Sequence, residues 1–197
     1  MPVLHLIAGP NGAGKSTLYR YVVQPRYPAL VFVNADIHER DELAHMRDPV
    51  ARSAAARAWA DATRDRLLAE GGSFVSETVF SHPSKLELLR TARARGFEIA
   101  LYVVCLDEPL ALLQRVRQRV AEGGHDVPDD KVLARYPRTL AHLREAVGLA
   151  DLALLFDAQA VASGGPFLVA SVVQGQVRLQ GLRQPRWARE VLGLPGH

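Results

Sequence analysis

A nonapeptide near the start of the chain constrains the fold more than any other feature of the sequence. It reads Gly-Pro-Asn-Gly-Ala-Gly-Lys-Ser-Thr over residues 9–17 and follows a short apolar run, residues 3–8. Every fixed position of the phosphate-binding pattern G-x-x-x-x-G-K-[ST] is present, and the flanking residues predict the strand and the helix that such a loop connects. The sequence therefore predicts a strand–loop–helix unit that binds the phosphates of a nucleoside triphosphate.

The chemistry of this loop assigns roles to its residues. Backbone N–H groups of a glycine-rich loop at a helix N-terminus point inward and hold anions. We expect Lys15 to reach the β- and γ-phosphates and the Ser16 hydroxyl to bind Mg²⁺. The loop residues predicted to bind the nucleotide are Gly9, Pro10, Asn11, Gly12, Ala13, Gly14, Lys15, Ser16 and Thr17.

Composition and charge limit the classes of protein that fit this sequence. The chain has 197 residues, of which 48% are hydrophobic, and a net charge of +3. This length predicts one domain over residues 1–197 with a substantial core. The charge is too small to indicate a nucleic-acid-binding protein, and no apolar run has the length of a membrane span. With no signal-peptide pattern at the start and one cysteine, Cys105, we expect a cytoplasmic protein without a membrane partner.

Predicted strands and helices alternate along the chain, which is the pattern of an α/β domain with a parallel sheet. Five apolar segments are predicted to be its strands, at residues 3–8, 29–33, 73–77, 98–106 and 152–156. The last part of the chain, about residues 166–193, is predicted to form a small β-hairpin and a short helix, with the hairpin turn at Gln174-Gly175. The sequence therefore predicts a five-stranded parallel sheet flanked by helices, followed by a C-terminal hairpin.

Acidic residues lie at the ends of three of the predicted strands, namely Asp36, Glu77 and Asp157. In parallel sheets, ligands bind at the carboxyl ends of the strands. The strand before Asp36 is expected to neighbour the strand of the phosphate loop, so that Asp36 faces the γ-phosphate as a general base. The alternative is an aspartate that forms a turn or caps a helix. Glu77 and Thr78 are expected to lie over an acceptor pocket, and the alternative for Glu77 is an ion pair with an arginine at the rim.

Arginines are concentrated on two predicted helices around the junction Gly-Gly-His-Asp-Val-Pro, residues 123–128. Arg115 and Arg119 lie one turn apart on the first helix, and Arg135 and Arg138 lie one turn apart on the second. Phosphoryl transfer requires cations that close over the transferred group. The segment of about residues 112–140 is therefore predicted to be a lid with a glycine hinge. The alternative is a solvated charged face.

The order and spacing of these motifs resemble the zeta toxin family of P-loop kinases, which includes UDP-N-acetylglucosamine kinases. The resemblance covers residues 3–158 and rests on five segments, GPNGAGKST, VNAD, GGSFVSETVFS, RVRQRVAEGGHDVP and ARYPRTL, before a late strand that ends in Phe-Asp. It implies a P-loop kinase fold that uses ATP and Mg²⁺, and a hydroxyl acceptor deprotonated by Asp36. The other residues to which it assigns roles are Asn34, Glu77 and Thr78 at the acceptor, Arg119 and Arg135 at the γ-phosphate, and Arg115 in reserve at ATP.

The leading hypothesis is a kinase that transfers the γ-phosphate of ATP to a hydroxyl of a nucleotide sugar or another metabolite. Its predicted catalytic residues are Lys15, Asp36, Arg119 and Arg135. One alternative is a polynucleotide kinase, although nucleic acid is not the expected partner at this charge. Another is a nucleotide-dependent binding or regulatory module without phosphate transfer. The resemblance also implies an antitoxin-like protein partner.

Overall fold

One mixed sheet forms the centre of the computed structural model, which describes residues 1–121, 127–162, 165–180 and 184–195. In these residues the strands are β1 (Val3–Ala8), β2 (Val31–Val33), β3 (Phe74–Thr78), β4 (Glu98–Cys105), β5 (Leu152–Ala162), β6 (Gly165–Val173) and β7 (Gln176–Leu179). The helices are α1 (Lys15–Leu18), which continues as a π-helical turn (Tyr19–Val23), α2 (Ala35–Asp41), α3 (Pro49–Glu70), α4 (Ser84–Ala94), α5 (Pro109–Ala121), α6 (Asp129–Leu149) and α7 (Arg186–Leu192).

The spatial order of the strands is β2-β3-β1-β4-β5-β6-β7. The first five strands in this order are parallel, whereas β6 and β7 are antiparallel to their neighbours. Gln174 and Gly175 both have positive φ, as two-residue hairpin turns prefer. The predicted α/β fold, with its five-stranded parallel sheet and C-terminal hairpin, is confirmed. The hairpin extends the same sheet because β6 pairs with β5.

Both faces of the sheet are buried, which explains why its central strands are almost continuously apolar. Leu6 of β1 belongs to the core on one face, together with Leu143 of α6. Ile7, the next residue, belongs to the core on the other face, together with Leu112 of α5. No helix in the described part of the chain has an apolar stretch long enough to cross a lipid bilayer.

The position of β2 differs from the prediction. We expected the strand before Asp36 to neighbour β1, but β3 lies between them, with Ile7 of β1 opposite Glu77 and Val33 of β2 opposite Ser76. The physical reason is burial. The strand β2 has only three residues, and Val31 is 47% exposed, as suits an edge strand, whereas β3 begins with three buried residues. The glutamate, and not the aspartate, therefore lies at the carboxyl end of the strand beside β1.

The two predicted lid helices are present as α5 and α6. Most of the junction between them, including Gly124 and His125, lies outside the described residues. The prediction of a hinge at that junction therefore stays a prediction.

Candidate functional site

The phosphate loop packs so closely against its neighbours that two of its glycines have no room for a side chain. A Cβ atom on Gly9 would lie 2.0 Å from the carbonyl oxygen of Val104 in β4, and one on Gly12 would lie 2.6 Å from the carbonyl oxygen of Leu112 in α5. The loop runs from the end of β1 to the N-terminus of α1. This is the position in which the free N–H groups of a helix start can hold phosphate.

Lys15 and Glu77 form a buried ion pair beneath the loop. The Nζ atom of Lys15 lies 3.9 Å from Oε1 of Glu77, and each side chain is only 9% exposed. Nζ also donates a hydrogen bond of 3.1 Å to the carbonyl oxygen of Pro10. Burial lowers the pKa of Lys15, although the carboxylates of Glu77 and Asp36 oppose this. Burial likewise raises the pKa of Glu77 against the charge of Lys15. Side chains whose pKa is shifted away from its usual value in this way are typical of functional sites.

Glu77 also connects the phosphate loop to the start of α2. Its Oε2 atom accepts a hydrogen bond of 3.3 Å from the Ser16 hydroxyl and one of 2.8 Å from Nδ2 of Asn34. The Oδ1 atom of Asn34 caps α2 by accepting from the N–H of Ile37 at 3.1 Å. The alternative of an arginine pair at the rim is wrong for Glu77, because its ion-pair partner is Lys15 and the pair is buried.

Asp36 lies in the first turn of α2, but the residue that caps this helix is Asn34. Its Oδ2 atom lies 3.6 Å from Nη1 of Arg119 on α5, and the two side chains are 56% and 39% exposed. An ion pair this exposed contributes at most about 1 kcal/mol to stability. Folding therefore depends little on this pair, and both side chains line the cavity.

A cavity of about 260 Å³ joins these groups. The predicted site residues that line it are Asn11, Lys15, Asn34, Asp36, Glu77, Thr78, Arg119 and Arg135. Arg119 belongs to α5 and Arg135 to α6, so each of the two predicted lid helices contributes one arginine.

Three other predicted groups point elsewhere. Arg115 donates through Nη2 to the carbonyl oxygen of Ala158 at 2.7 Å, and its assignment to ATP stays a prediction. Arg138 is exposed, and its Nε donates to a carbonyl oxygen of its own helix. Asp157 accepts a 3.0 Å hydrogen bond from the indole of Trp187, which makes it a structural acid.

Sequence reasoning missed a second group of charged residues around the same cavity. They come from α2, α3, the segment before α4 and the first turn of α4, and they are Glu39, Arg57, Asp61, Arg64, His82 and Lys85. Arg64 is only 6% exposed and donates to the Ser76 hydroxyl at 3.3 Å and to Asp61. Lys85 lies 3.4 Å from the same Asp61 oxygen. A signal was present, because Arg64 falls on the helical face that also carries the buried residues Ala60 and Leu67.

The turn after β3 has an unusual backbone. Phe80 lines the cavity and is fully buried, yet its φ is 65°, a left-handed conformation that costs an L-residue about 1–2 kcal/mol. Thr139 donates to the carbonyl oxygen of Val79 at 3.4 Å, and His142 donates through Nδ1 to that of Phe80 at 3.1 Å. Helix α6 therefore holds this turn through two consecutive carbonyl groups.

The donor atoms near the loop suit a Mg²⁺ ion that binds mainly to phosphates. Among the described residues there is no group of three or more histidine, cysteine, aspartate or glutamate side chains that could hold a metal ion alone. Mg²⁺ in nucleotide sites needs only one or two protein oxygen ligands besides phosphate and water. The Ser16 hydroxyl and the adjoining Glu77 carboxylate supply oxygens of this kind.

Comparison with known proteins gives one family and several structural relatives. The family model described as Zeta toxin matches residues 1–157. No curated protein sequence matches the chain.

The structural relatives show the same fold at low sequence identity. A chain of the AvrRxo1-ORF1:-ORF2 complex solved with ATP matches with a TM-score of 0.69 and 18% identity, over 91% of this chain and 61% of that chain. A chain from the PezAT toxin–antitoxin system of Streptococcus pneumoniae matches with a TM-score of 0.62 and 16% identity, over 80% and 69% of the two chains. A chain of the Pnkp1/Rnl/Hen1 RNA repair complex matches with a TM-score of 0.56 and 19% identity, over 73% and 46%. The present chain thus spans about three fifths of the length of its AvrRxo1 relative.

Proposed function

The chain belongs to the zeta toxin family, and we propose that it is an ATP- and Mg²⁺-dependent kinase that phosphorylates a hydroxyl group of a small metabolite. One observation carries this proposal. A single cavity is lined by Lys15 of the phosphate loop, by the carboxylate of Asp36, and by Arg119 and Arg135 from the two lid helices. A protein that only binds a nucleotide needs the loop, whereas phosphate transfer also needs the base and the cations.

ATP is the proposed phosphate donor. A related complex, AvrRxo1-ORF1:-ORF2, was solved with ATP. In this chain backbone N–H groups of the phosphate loop would surround the β- and γ-phosphates, and Lys15 would pair with them. The phosphates would also give buried Lys15 a stronger anionic partner than Glu77 alone supplies.

Ser16 and Glu77 are the residues proposed to hold Mg²⁺, Ser16 directly and Glu77 through water or directly. When bound, the ion neutralises charge on the phosphate oxygens. The contacts of Glu77 with Lys15 and Ser16 favour this role over direct contact with the acceptor. Thr78 is the next residue and lines the cavity, so with Asn34 it stays the proposed acceptor contact.

The proposed reaction is an in-line transfer. The acceptor hydroxyl gives its proton to Asp36 while its oxygen forms a bond to the γ-phosphorus, and the bond from that phosphorus to the bridging oxygen breaks to release ADP. Arg119 would leave Asp36 for the γ-phosphate, where it and Arg135 would stabilise the developing charge. Water screens the attraction between Asp36 and Arg119 that this exchange of partners would break, because both side chains are more than a third exposed.

The proposed acceptor carries a phosphate or diphosphate as well as the hydroxyl, as a nucleotide sugar does. The support is three cationic side chains on the cavity wall, Arg57, Arg64 and Lys85. Guanidinium groups suit phosphate oxygens in particular.

The reaction would take place in the reducing cytoplasm, where the buried thiol of Cys105 stays reduced.

The decisive experiment is incubation with γ-labelled ATP and a bacterial metabolite extract, with products identified by mass. We expect one labelled small molecule. The Asp36→Asn variant should keep ATP affinity and lose about 10²–10⁴-fold of the transfer rate, as loss of a general base does. Asp41→Asn is the matched control, because Asp41 lies on the same helix and pairs only at the surface with Arg40. Full activity of Asp36→Asn would remove that residue from the mechanism.

The same assay separates the alternatives. Transfer to RNA or DNA with a 5′-hydroxyl end, in place of the extract, would identify a polynucleotide kinase. ATP binding without transfer to any acceptor would identify a binding or regulatory module.

A protein inhibitor is the proposed partner. The support is the description of the Streptococcus pneumoniae relative as part of a toxin–antitoxin system. If this chain is a toxin, its expression should arrest growth in a suitable host, and Asp36→Asn should not. Equal growth with both proteins would argue for a housekeeping kinase without such a partner.

A further inference from the structure

We propose that Thr139 and His142 of α6 are positioning residues that hold the acceptor wall of the cavity, residues 78–80, to the helix carrying Arg135. The inference rests on the function proposed above and deepens it. Neither residue belongs to the cavity lining, and neither was expected to have a role from sequence. Their effect passes through the turn of Val79 and Phe80, which follows the acceptor residue Thr78.

The turn needs an external restraint. Among the described residues, the non-glycine residues with positive φ are Phe80 and Gln174. Gln174 has a local reason, since it forms the two-residue hairpin turn with Gly175. Phe80 has no polar side chain that could satisfy its own backbone in this conformation, as Asn or Asp would. Backbone strain of this kind persists only where the surrounding structure enforces it.

Helix α6 provides the restraint through two hydrogen bonds to consecutive carbonyl groups. Thr139 is fully buried and donates from Oγ1 to Val79, and His142 donates from Nδ1 to Phe80. A carbonyl oxygen only accepts, so Nδ1 of His142 carries a proton. The two donors lie three residues apart and therefore on the same face of the helix.

The same helix face carries Arg135, four residues before Thr139. Beside it, the hydroxyl of Tyr136 donates to the carbonyl oxygen of Leu106, after the end of β4, at 2.9 Å. The helix is thus attached to the sheet at one point and to the acceptor wall at two. The acceptor wall and Arg135 consequently keep a constant separation, which phosphate transfer to an acceptor on that wall requires.

Four variants test the two hydrogen bonds. Thr139→Val and His142→Ala remove the hydrogen-bond donors, whereas Thr139→Ser and His142→Gln each keep a donor at the same position. Arg138→Ala is the matched control, because Arg138 lies on the same helix and donates to a carbonyl of that helix only. Amide hydrogen exchange of the segment 78–86 reports on the turn. Transfer from labelled ATP to the metabolite extract, at full strength and diluted tenfold, reports on acceptor use without knowledge of its identity.

We expect faster exchange in the segment 78–86 for Thr139→Val and His142→Ala, together with at least a fivefold loss of transfer that is larger in diluted extract. ATP affinity should change less than twofold, and the donor-retaining variants and Arg138→Ala should behave like the unmodified protein. Unchanged exchange would overturn the restraint. The two residues would have only a structural role if exchange became faster while the transfer rate stayed unchanged. The same conclusion would follow if Thr139→Val and Thr139→Ser lost transfer activity equally. If the unmodified protein transfers no phosphate at all, the proposed function and the positioning role both fail, and exchange alone still decides whether the restraint exists.

Discussion

At the phosphate-loop side of the cavity Lys15 and Glu77 are both buried, whereas at the α3 side Arg64 is buried and its partner Asp61 is 60% exposed. The pKa values of the two acids, Glu77 and Asp61, are shifted in opposite directions. Burial raises the pKa of Glu77 in spite of Lys15. Burial also acts to raise the pKa of Asp61, but its bonds to Arg64 and Lys85 prevail and lower it.

This difference distinguishes an ion pair that is placed to bind a ligand from one that stabilises the fold. A buried ion pair loses most of its hydration, and its mutual attraction often fails to compensate for that loss. The Lys15–Glu77 pair is therefore retained at some cost to stability, as expected of groups that await a charged ligand. The Asp61–Arg64 pair keeps one partner in water and stabilises the fold while it faces the cavity.

The largest effect is expected for the two lysines of the cavity. Lys15→Met should reduce the rate of phosphate transfer about 10²–10³-fold, because it removes a cation that faces the transferred phosphate. Lys85→Met should mainly raise the KM for the acceptor. Initial rates at varied ATP and acceptor concentrations would measure both. Equal effects on kcat would show that the two sides of the cavity do not differ in function.

A second effect concerns the cost of the buried pair. Lys15→Met alone should lower the free energy of unfolding by about 3–5 kcal/mol, since it leaves the Glu77 carboxylate buried without its counter-charge. The double variant Lys15→Met with Glu77→Gln should recover most of that loss, because no charge of the pair is then buried. Urea unfolding of the unmodified protein, the two single variants and the double variant would measure the coupling. A double variant no more stable than Lys15→Met would contradict the cost assigned to the buried charge.

A third, smaller effect is expected on the α3 side. Asp61→Asn should lower the free energy of unfolding by about 1–3 kcal/mol, because it weakens the hydrogen bonds that satisfy buried Arg64. Asp65→Asn, an exposed change of the same charge on the same helix, is the control. Equal stability of the two variants would contradict a supporting role for Asp61.

The smallest effect is a difference in the pH dependence of stability. The folded pKa of Glu77 is raised, so its proton binds the folded state first, and stability is gained as the pH falls through that value. The folded pKa of Asp61 is lowered, so its contribution is present above its unfolded pKa near 3.8 and is lost as the pH falls below that value. Unfolding between pH 6 and 3 should therefore show a steeper acid loss for Glu77→Gln and a shallower one for Asp61→Asn. The same slope in both variants would contradict the contrast.

Much of the fold could be predicted from the sequence because it depends on local pattern. The apolar runs mark the parallel strands, and the glycine-rich loop between the first run and a helix can be recognised from consecutive residues alone. The start of α2 was considered only as an alternative for Asp36, because Asn34, Ala35 and Asp36 directly follow a strand. The order of β1, β2 and β3 was missed because strands that follow each other in the chain need not be neighbours in a parallel sheet.

The candidate site was only partly predictable for the same reason. The residues that a recognisable motif contains, such as Lys15, Asp36 and Glu77, were identified. Arg64 and Lys85 belong to no recognisable motif. The charged residues of their helices resemble those on the solvent-exposed face of any helix. Arg115 and Arg119 appear equivalent at one helical turn, yet one reaches the backbone of β5 and the other reaches Asp36.

By itself the sequence determined that this chain contains a phosphate-binding loop on a parallel sheet, because that loop is made by consecutive residues and its geometry is local. Only the tertiary structure decided which acid stands beside the loop. The placement of β3 next to β1 buries Glu77 against Lys15 and Ser16, and leaves Asp36 at an exposed helix start within reach of Arg119. That arrangement depends on which strand can be buried on both faces, and burial is a property of the whole fold.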